Sequence, residues 1–147
     1  MKIRFETKVQ KRLSAVKAAF DQELFLALKP PGMQLKLIRF DGCKPGDEVH
    51  LKMGAFGLLQ DWVSHITSSI EDEKQWQFVD EGQVIPWPLK HWKHVHRVES
   101  IGDSEALIID DIEFTAPNSA LTALLFPSLW LSFSVRPSRY RKFFKEE

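Results

Sequence analysis

Two histidines in a His-x-His spacing, His94 and His96, share a segment with Trp92 and Val98, and a single acid, Asp110, follows in the next apolar-alternating run. In an extended chain the period of two puts Trp92, His94, His96 and Val98 on one face, with His91, Lys93, Arg97 and Glu99 on the other. After the turn Gly102-Asp103-Ser104, residues Ala106, Ile108, Asp110, Ile112 and Phe114 alternate with Ile109, Asp111 and Glu113. Two imidazoles and a carboxylate therefore fall on the apolar side of a hairpin. Burying titratable groups without partners is costly, so this face reads as the wall of a polar-lined cavity.

Three chemistries fit these residues. Two imidazoles two apart on a strand can form a metal half-site, with Asp80 or Asp110 as third ligand; no third histidine follows downstream, and no metal or other cofactor is expected. A neutral imidazole beside a carboxylate can move a proton as an acid–base pair, which makes His94, His96 and Asp110 the candidate catalytic residues. Alternatively the three hydrogen-bond one another and serve structure alone.

The elements that must position them are legible from periodicity. Lys2 to Val9 alternates Ile3, Phe5, Thr7 and Val9 against charged neighbours, a half-buried strand. Arg12 to Leu28 carries Leu13, Val16, Phe20, Leu24 and Leu28 at helical steps, with a break near Asp21, and Lys29-Pro30-Pro31-Gly32 stops it. Strand-like runs follow at Met33 to Phe40, Glu48 to Met53, Leu58 to Ile70 and Gln75 to Val84, before the two already described. Such short connections permit hairpins and exclude crossover helices, so the sheet is an antiparallel meander with the first strand added at one edge. Ser119 to Phe126 and Ser128 to Phe144 read as helical, separated by Pro127. Leu129, Phe133, Arg136, Tyr140 and Phe143 share one stripe of the second piece, and Pro137 is expected to kink it. The fold class is α+β, with about seven antiparallel strands curved around a long C-terminal helix and two short helices after the first strand.

With 147 residues the chain reads as one domain, 1–147. Twenty basic residues balance twenty acidic ones, so no global field favours nucleic acid. The basic cluster Arg136, Arg139, Arg141, Lys142 and Lys145 is diluted by Glu146 and Glu147 and suits a helix C-terminus. The lone Cys43 excludes an internal disulfide, and the opening Met1-Lys2-Ile3-Arg4-Phe5-Glu6 lacks the apolar core of a secretory signal, so a cytoplasmic protein is the expectation. No charge occurs from Thr115 to Val135, yet Pro117, Asn118, Pro127 and several hydroxyl residues argue against a membrane span; transient membrane contact remains compatible. Five Trp and eleven Phe suit a filled core or an aromatic-walled pocket.

The element order, Trp62 in a strand, Phe78-Val79-Asp80-Glu81-Gly82-Gln83, Trp92-Lys93-His94-Val95-His96-Arg97-Val98, Asp110-Asp111-Ile112-Glu113-Phe114-Thr115-Ala116-Pro117, and Phe133-Ser134-Val135-Arg136 before Tyr140-Arg141 resemble the START-like superfamily. More narrowly, they resemble its SRPBCC branch of polyketide-cyclase/dehydrase-related and coenzyme-Q-binding-like bacterial proteins. The resemblance covers essentially the whole chain and implies a helix-grip fold with a deep cavity between sheet and C-terminal helix. It implies cavity lining by Trp62, Phe78, Asp80, Trp92, His94, His96, Asp110, Ile112 and Phe114, to which the C-terminal stripe adds Phe133 and Tyr140. Pro137 departs from the family pattern of an unbroken last helix. The implied function is to carry or sense a small hydrophobic molecule such as a lipid, quinone or aromatic polyketide. The alternatives are a cyclase/dehydratase-type enzyme working through the His/Asp pair, and a protein-interaction module using the Trp87 loop and the last helix.

Overall fold

A computed structural model describes residues 1–145. Seven antiparallel strands form one sheet in the order β1-β7-β6-β5-β4-β3-β2. They are β1 Lys2–Val9, β2 Gln34–Phe40, β3 Glu48–Ala55, β4 Leu58–Glu71, β5 Gln75–Val84, β6 His91–Gly102 and β7 Glu105–Thr115. Strands β2 to β7 are a meander of hairpins, and β1 adds at the edge against β7, with Ile3 opposite Ile112 and Phe5 opposite Asp110. Register shifts in the β4–β5 pair, between Val63 and Ser64 and between Ile66 and Ser68, bend the long β4. Each adds local twist, which a sheet needs in order to curl over a helix.

Two short helices, α1 Leu13–Ala18 and α2 Gln22–Ala27, separate β1 from β2. The break expected near Asp21 is there, and its cause is a cap: the Asp21 carboxylate accepts from the backbone N–H groups of Glu23 and Leu24. Val16 and Leu24 are the residues these helices bury, within a core that includes Val98, Ile108, Trp76 and Tyr140. A second apolar cluster joins Ile3, Trp92, Ile112 and Phe114, with Phe133 and Leu129 packed on it.

The C-terminal region corrects the sequence reading of both prolines. Helix α3, Ser119–Ser134, runs through Pro127 without interruption. Pro127 and Ala123, four residues earlier, are both exposed, so the carbonyl that proline leaves without a partner meets water. The break comes instead at Val135, and a separate helix α4, Arg136–Phe143, begins with Pro137 in its first turn. There a proline lacks only an N–H that the helix does not use. The N–H of Val135 turns back to the Phe133 carbonyl where α3 ends. The two helical pieces expected on either side of Pro127 thus meet at Val135 instead, and the second is not a helix kinked at Pro137 but one that starts there. Among the described residues no helix is long and apolar enough to cross a membrane; α3 carries the charge-free run, with Leu124, Trp130 and Leu131 exposed.

Candidate functional site

Alternation on β6 and β7 delivers the histidines and the acid to the concave face, where cross-strand pairing sets His96 opposite Asp110 and His94 opposite Ile112. His94 is 3% exposed and Asp110 1%. Nε2 of His94 lies 2.9 Å from Oδ1 of Asp110. The same oxygen faces Nη2 of Arg136 at 3.2 Å and accepts from the Tyr140 hydroxyl at 3.5 Å. Arg136 also donates to that hydroxyl at 2.8 Å. One buried carboxylate oxygen therefore gathers a strand imidazole and two α4 side chains one turn apart.

The electrostatics follow from this packing. Burial pushes the Asp110 carboxyl upward, but Arg136 and the hydrogen bond from His94 outweigh it and hold the group well below the usual carboxylate range. Burial, with His96 alongside, lowers His94 to about 4 against the pull of Asp110. Burial raises Tyr140 against Arg136, so it stays a neutral phenol. Burial disfavours the charge on Arg136, yet Asp110 beside it raises the group above its ordinary value. Asp110 is thus ionised and His94 neutral, so His94 must carry its proton on Nε2 to bond the carboxylate, which leaves Nδ1 as a bare acceptor.

His96 completes an aromatic stack. Its ring lies on Phe78 at 4.4 Å and 9°, and on His94 at 3.6 Å and 28°. Its Nδ1 is 3.7 Å from Asp110 Oδ1 and its Nε2 is 3.9 Å from Asp80 Oδ2, beyond hydrogen-bonding distance in both directions. Asp80 Oδ1, His96 Nδ1 and Arg136 Nε are buried with no hydrogen-bond partner among the described residues. Asp80, His94 and His96 each offer a ligating atom within 4.8 Å of the others, so Asp80 rather than Asp110 is the acid that accompanies the pair. The stack, however, sets the two rings face to face, 3.6 Å apart and 28° from parallel. One ion at ~2.1 Å from each nitrogen would lie far outside both ring planes, so chelation needs the rings to splay apart.

Beside this cluster lies a cavity of about 180 Å³ between the sheet, α2 and α3. Of the residues that the sequence put forward for binding, Trp62, Phe78, Asp80, Trp92, His94, His96 and Phe133 line it. Asp110, Ile112, Phe114 and Tyr140 are buried behind that wall. Trp62 meets Trp92 edge to face at 4.8 Å, and Phe133 sits 5.6 Å from Trp92. Arg136 also lines the cavity, as do Ser64, Leu24 and Phe25 of α2, and Leu35, Leu51 and Met53 of β2 and β3. The sequence put Arg136 on the apolar stripe and in a basic cluster suited to a helix C-terminus, whereas it is the first residue of α4. A guanidinium between Phe133 and Tyr140 on a core-facing stripe implies a buried acid opposite, and Asp110 is that acid. Cys43 lies at the cavity too, its thiol 3.5 Å from the Phe20 carbonyl and pushed up to about 12, chiefly by burial.

A seven-stranded curved antiparallel sheet, paired short helices after the first strand and a C-terminal helical closure make this a helix-grip fold, the architecture that the sequence resemblance implied. No protein-family model and no curated protein sequence matches the chain. Solved structures do. A protein of Chromobacterium violaceum superposes with a TM-score of 0.69 at 15% identity, over 99% of this chain and 98% of that one. Truncated norcoclaurine synthase of Thalictrum flavum gives 0.65 at 12%, over 95% and 92%. The Zhui aromatase/cyclase of Streptomyces sp. R1128 gives 0.62 at 11%, over 94% and 92%. Identities this low establish shared architecture only.

Proposed function

We propose that the chain binds a small, largely hydrophobic molecule in the cavity between sheet and helices, with one polar end of the molecule directed at the histidine cluster. The observation that carries this reading is an apolar cavity of about 180 Å³ ending on Asp80, His94, His96 and Arg136, some of whose buried atoms lack partners. A native core fills its interior and satisfies its buried polar groups, so a space that does neither marks a binding site. The volume also bounds the ligand. A cavity of ~150 Å³ accommodates benzene, whereas drug-sized ligands take roughly 300–1,000 Å³. Compact molecules of one ring are therefore favoured over larger members of the lipid, quinone and aromatic polyketide classes that the resemblance implied.

A proton-transfer role is the second reading, favoured by the His94–Asp110 hydrogen bond at 2.9 Å and by solved proteins of this fold named as a synthase and an aromatase/cyclase. Against it, His94 held near 4 is a weak base at neutral pH, and Asp110 is committed to Arg136. Binding is the stronger conclusion. The test is a thermal-shift screen of single-ring aromatic compounds, with Leu51→Trp as a cavity-filling control. A ligand at a hundred times its Kd stabilises by about 2.7 kcal/mol, enough to raise Tm by several degrees. The shift is expected in the wild type and lost in Leu51→Trp. A screen with no shift, or shifts equal in both proteins, would refute the reading.

A further inference from the structure

Resting on the ligand reading above, we propose that the polar end of the cavity selects a hydroxyl group, inserted between Asp80 and His96, and that the ligand is a single-ring phenol. Oδ2 of Asp80 and Nε2 of His96 face one another across 3.9 Å, and both residues line the cavity. That gap is too long for a direct hydrogen bond, but one oxygen about 2.8 Å from each atom spans it. His96 is held in its stack between Phe78 and His94, which limits rotation of the ring out of its plane. Asp80 is held opposite His94 in the strand register, and its other oxygen is buried with no partner among the described residues.

The two atoms differ in what they accept. Asp80 offers only lone pairs; His96, with its proton on Nε2, offers a donor. A hydroxyl oxygen serves both, donating to Asp80 and accepting from His96. An ether or ketone oxygen can only accept, and would face the carboxylate with no proton between them. A carboxylate would add a like charge. Leaving Asp80 desolvated and unpaired costs about 1–3 kcal/mol, which corresponds to roughly fivefold to 150-fold in affinity. Trp62, Trp92, Phe78 and Phe133 on the surrounding wall favour an aromatic body, since ring edges and faces are both on offer.

The test is calorimetric titration of the purified protein with 4-ethylphenol, 4-ethylanisole, 4-ethylbenzoate, 4-ethylcyclohexanol and benzylamine. The phenol should bind at least about fivefold more tightly than the anisole, the benzoate and the amine, and more tightly than the cyclohexanol by the smaller margin that ring contacts supply. Asp80→Leu should erase its preference over the anisole; if that variant does not fold, the wild-type ratios decide. Anisole or benzoate binding as well as the phenol would overturn the hydroxyl assignment while leaving the ligand reading intact. Equal binding of the cyclohexanol would overturn the aromatic part. Tighter binding of benzylamine would mean that two acceptors face the gap, and would overturn the proposal. Binding of none of the five would defeat the ligand reading itself.

Discussion

Arg136→Met is the substitution that bears most directly on how the site is held. It removes the guanidinium that faces Asp110 Oδ1 at 3.2 Å and leaves a carboxylate that is 1% exposed with His94 and Tyr140 as its side-chain hydrogen-bond partners among the described residues. Methionine keeps much of the side-chain volume among Phe133 and Tyr140, so the loss is mainly electrostatic. Breaking a buried pair by deleting one partner costs about 3–5 kcal/mol, because the remaining charge stays desolvated. At about 2.1 cal/mol/K per residue, a chain of 147 residues unfolds with roughly 0.3 kcal/mol/K, so Tm should fall by about 10–16 °C. Urea unfolding followed by tryptophan fluorescence measures the difference, read at constant m-value. Adding Asp110→Asn removes the stranded charge while keeping an acceptor for His94, and the double variant should recover at least about half of the loss. A cost below about 1 kcal/mol for Arg136→Met, or a double variant no more stable than the single one, would refute the claim that Arg136 holds Asp110 ionised.

Acid should weaken the fold in two stages. The unfolded chain protonates His94 near 6.5 whereas the folded chain does so near 4, so its contribution is complete above pH 6.5 and is lost as pH falls toward 4, by up to roughly 3 kcal/mol. Asp110, lowered in the folded state, adds a further loss below its ordinary value of 3.8. Chemical denaturation across pH should show this slope, and His94→Gln should flatten the upper stage; equal stability at pH 7 and 4.5 in the wild type would contradict it. Cys43, raised from 9.0 to about 12 chiefly by burial, should react with a disulfide reagent at pH 8 at least about a hundredfold more slowly in the folded protein than in denaturant. Similar rates would show that the thiol is not shielded.

Much of this arrangement was legible in the chain, because a period of two is unambiguous where one face is buried. Trp92, His94 and Val98 on β6, and Ala106, Ile108, Asp110, Ile112 and Phe114 on β7, are buried in step as alternation requires. The prolines were not legible in the same way. Whether a proline breaks a helix depends on where the freed carbonyl points, and that is set by tertiary placement: Pro127 is tolerated because its side of α3 is exposed, while Pro137 begins a new helix. The contributions of α2, β2 and β3 to the cavity were hidden for another reason. Leu24, Leu35, Leu51 and Met53 are residues of the kind that fill cores, and a wall and a filled core use the same side chains. The volume left between them is a small difference between large numbers, and only coordinates supply it. Arg136 was visible as an anomaly on its stripe, and pairing that cation with the one acid on the apolar side of β7 would have predicted the contact.

The central claim is that a small molecule enters the cavity and meets the histidine cluster. Heteronuclear NMR during titration with 4-ethylphenol tests it most directly, by following the indole N–H signals of the five tryptophans and the imidazole signals of the histidines. The account predicts saturable shifts at Trp62, Trp92, His94 and His96, which line the cavity, and little change at the exposed Trp87 or at His65. Shifts confined to the exposed groups, or none at saturating ligand, would contradict it.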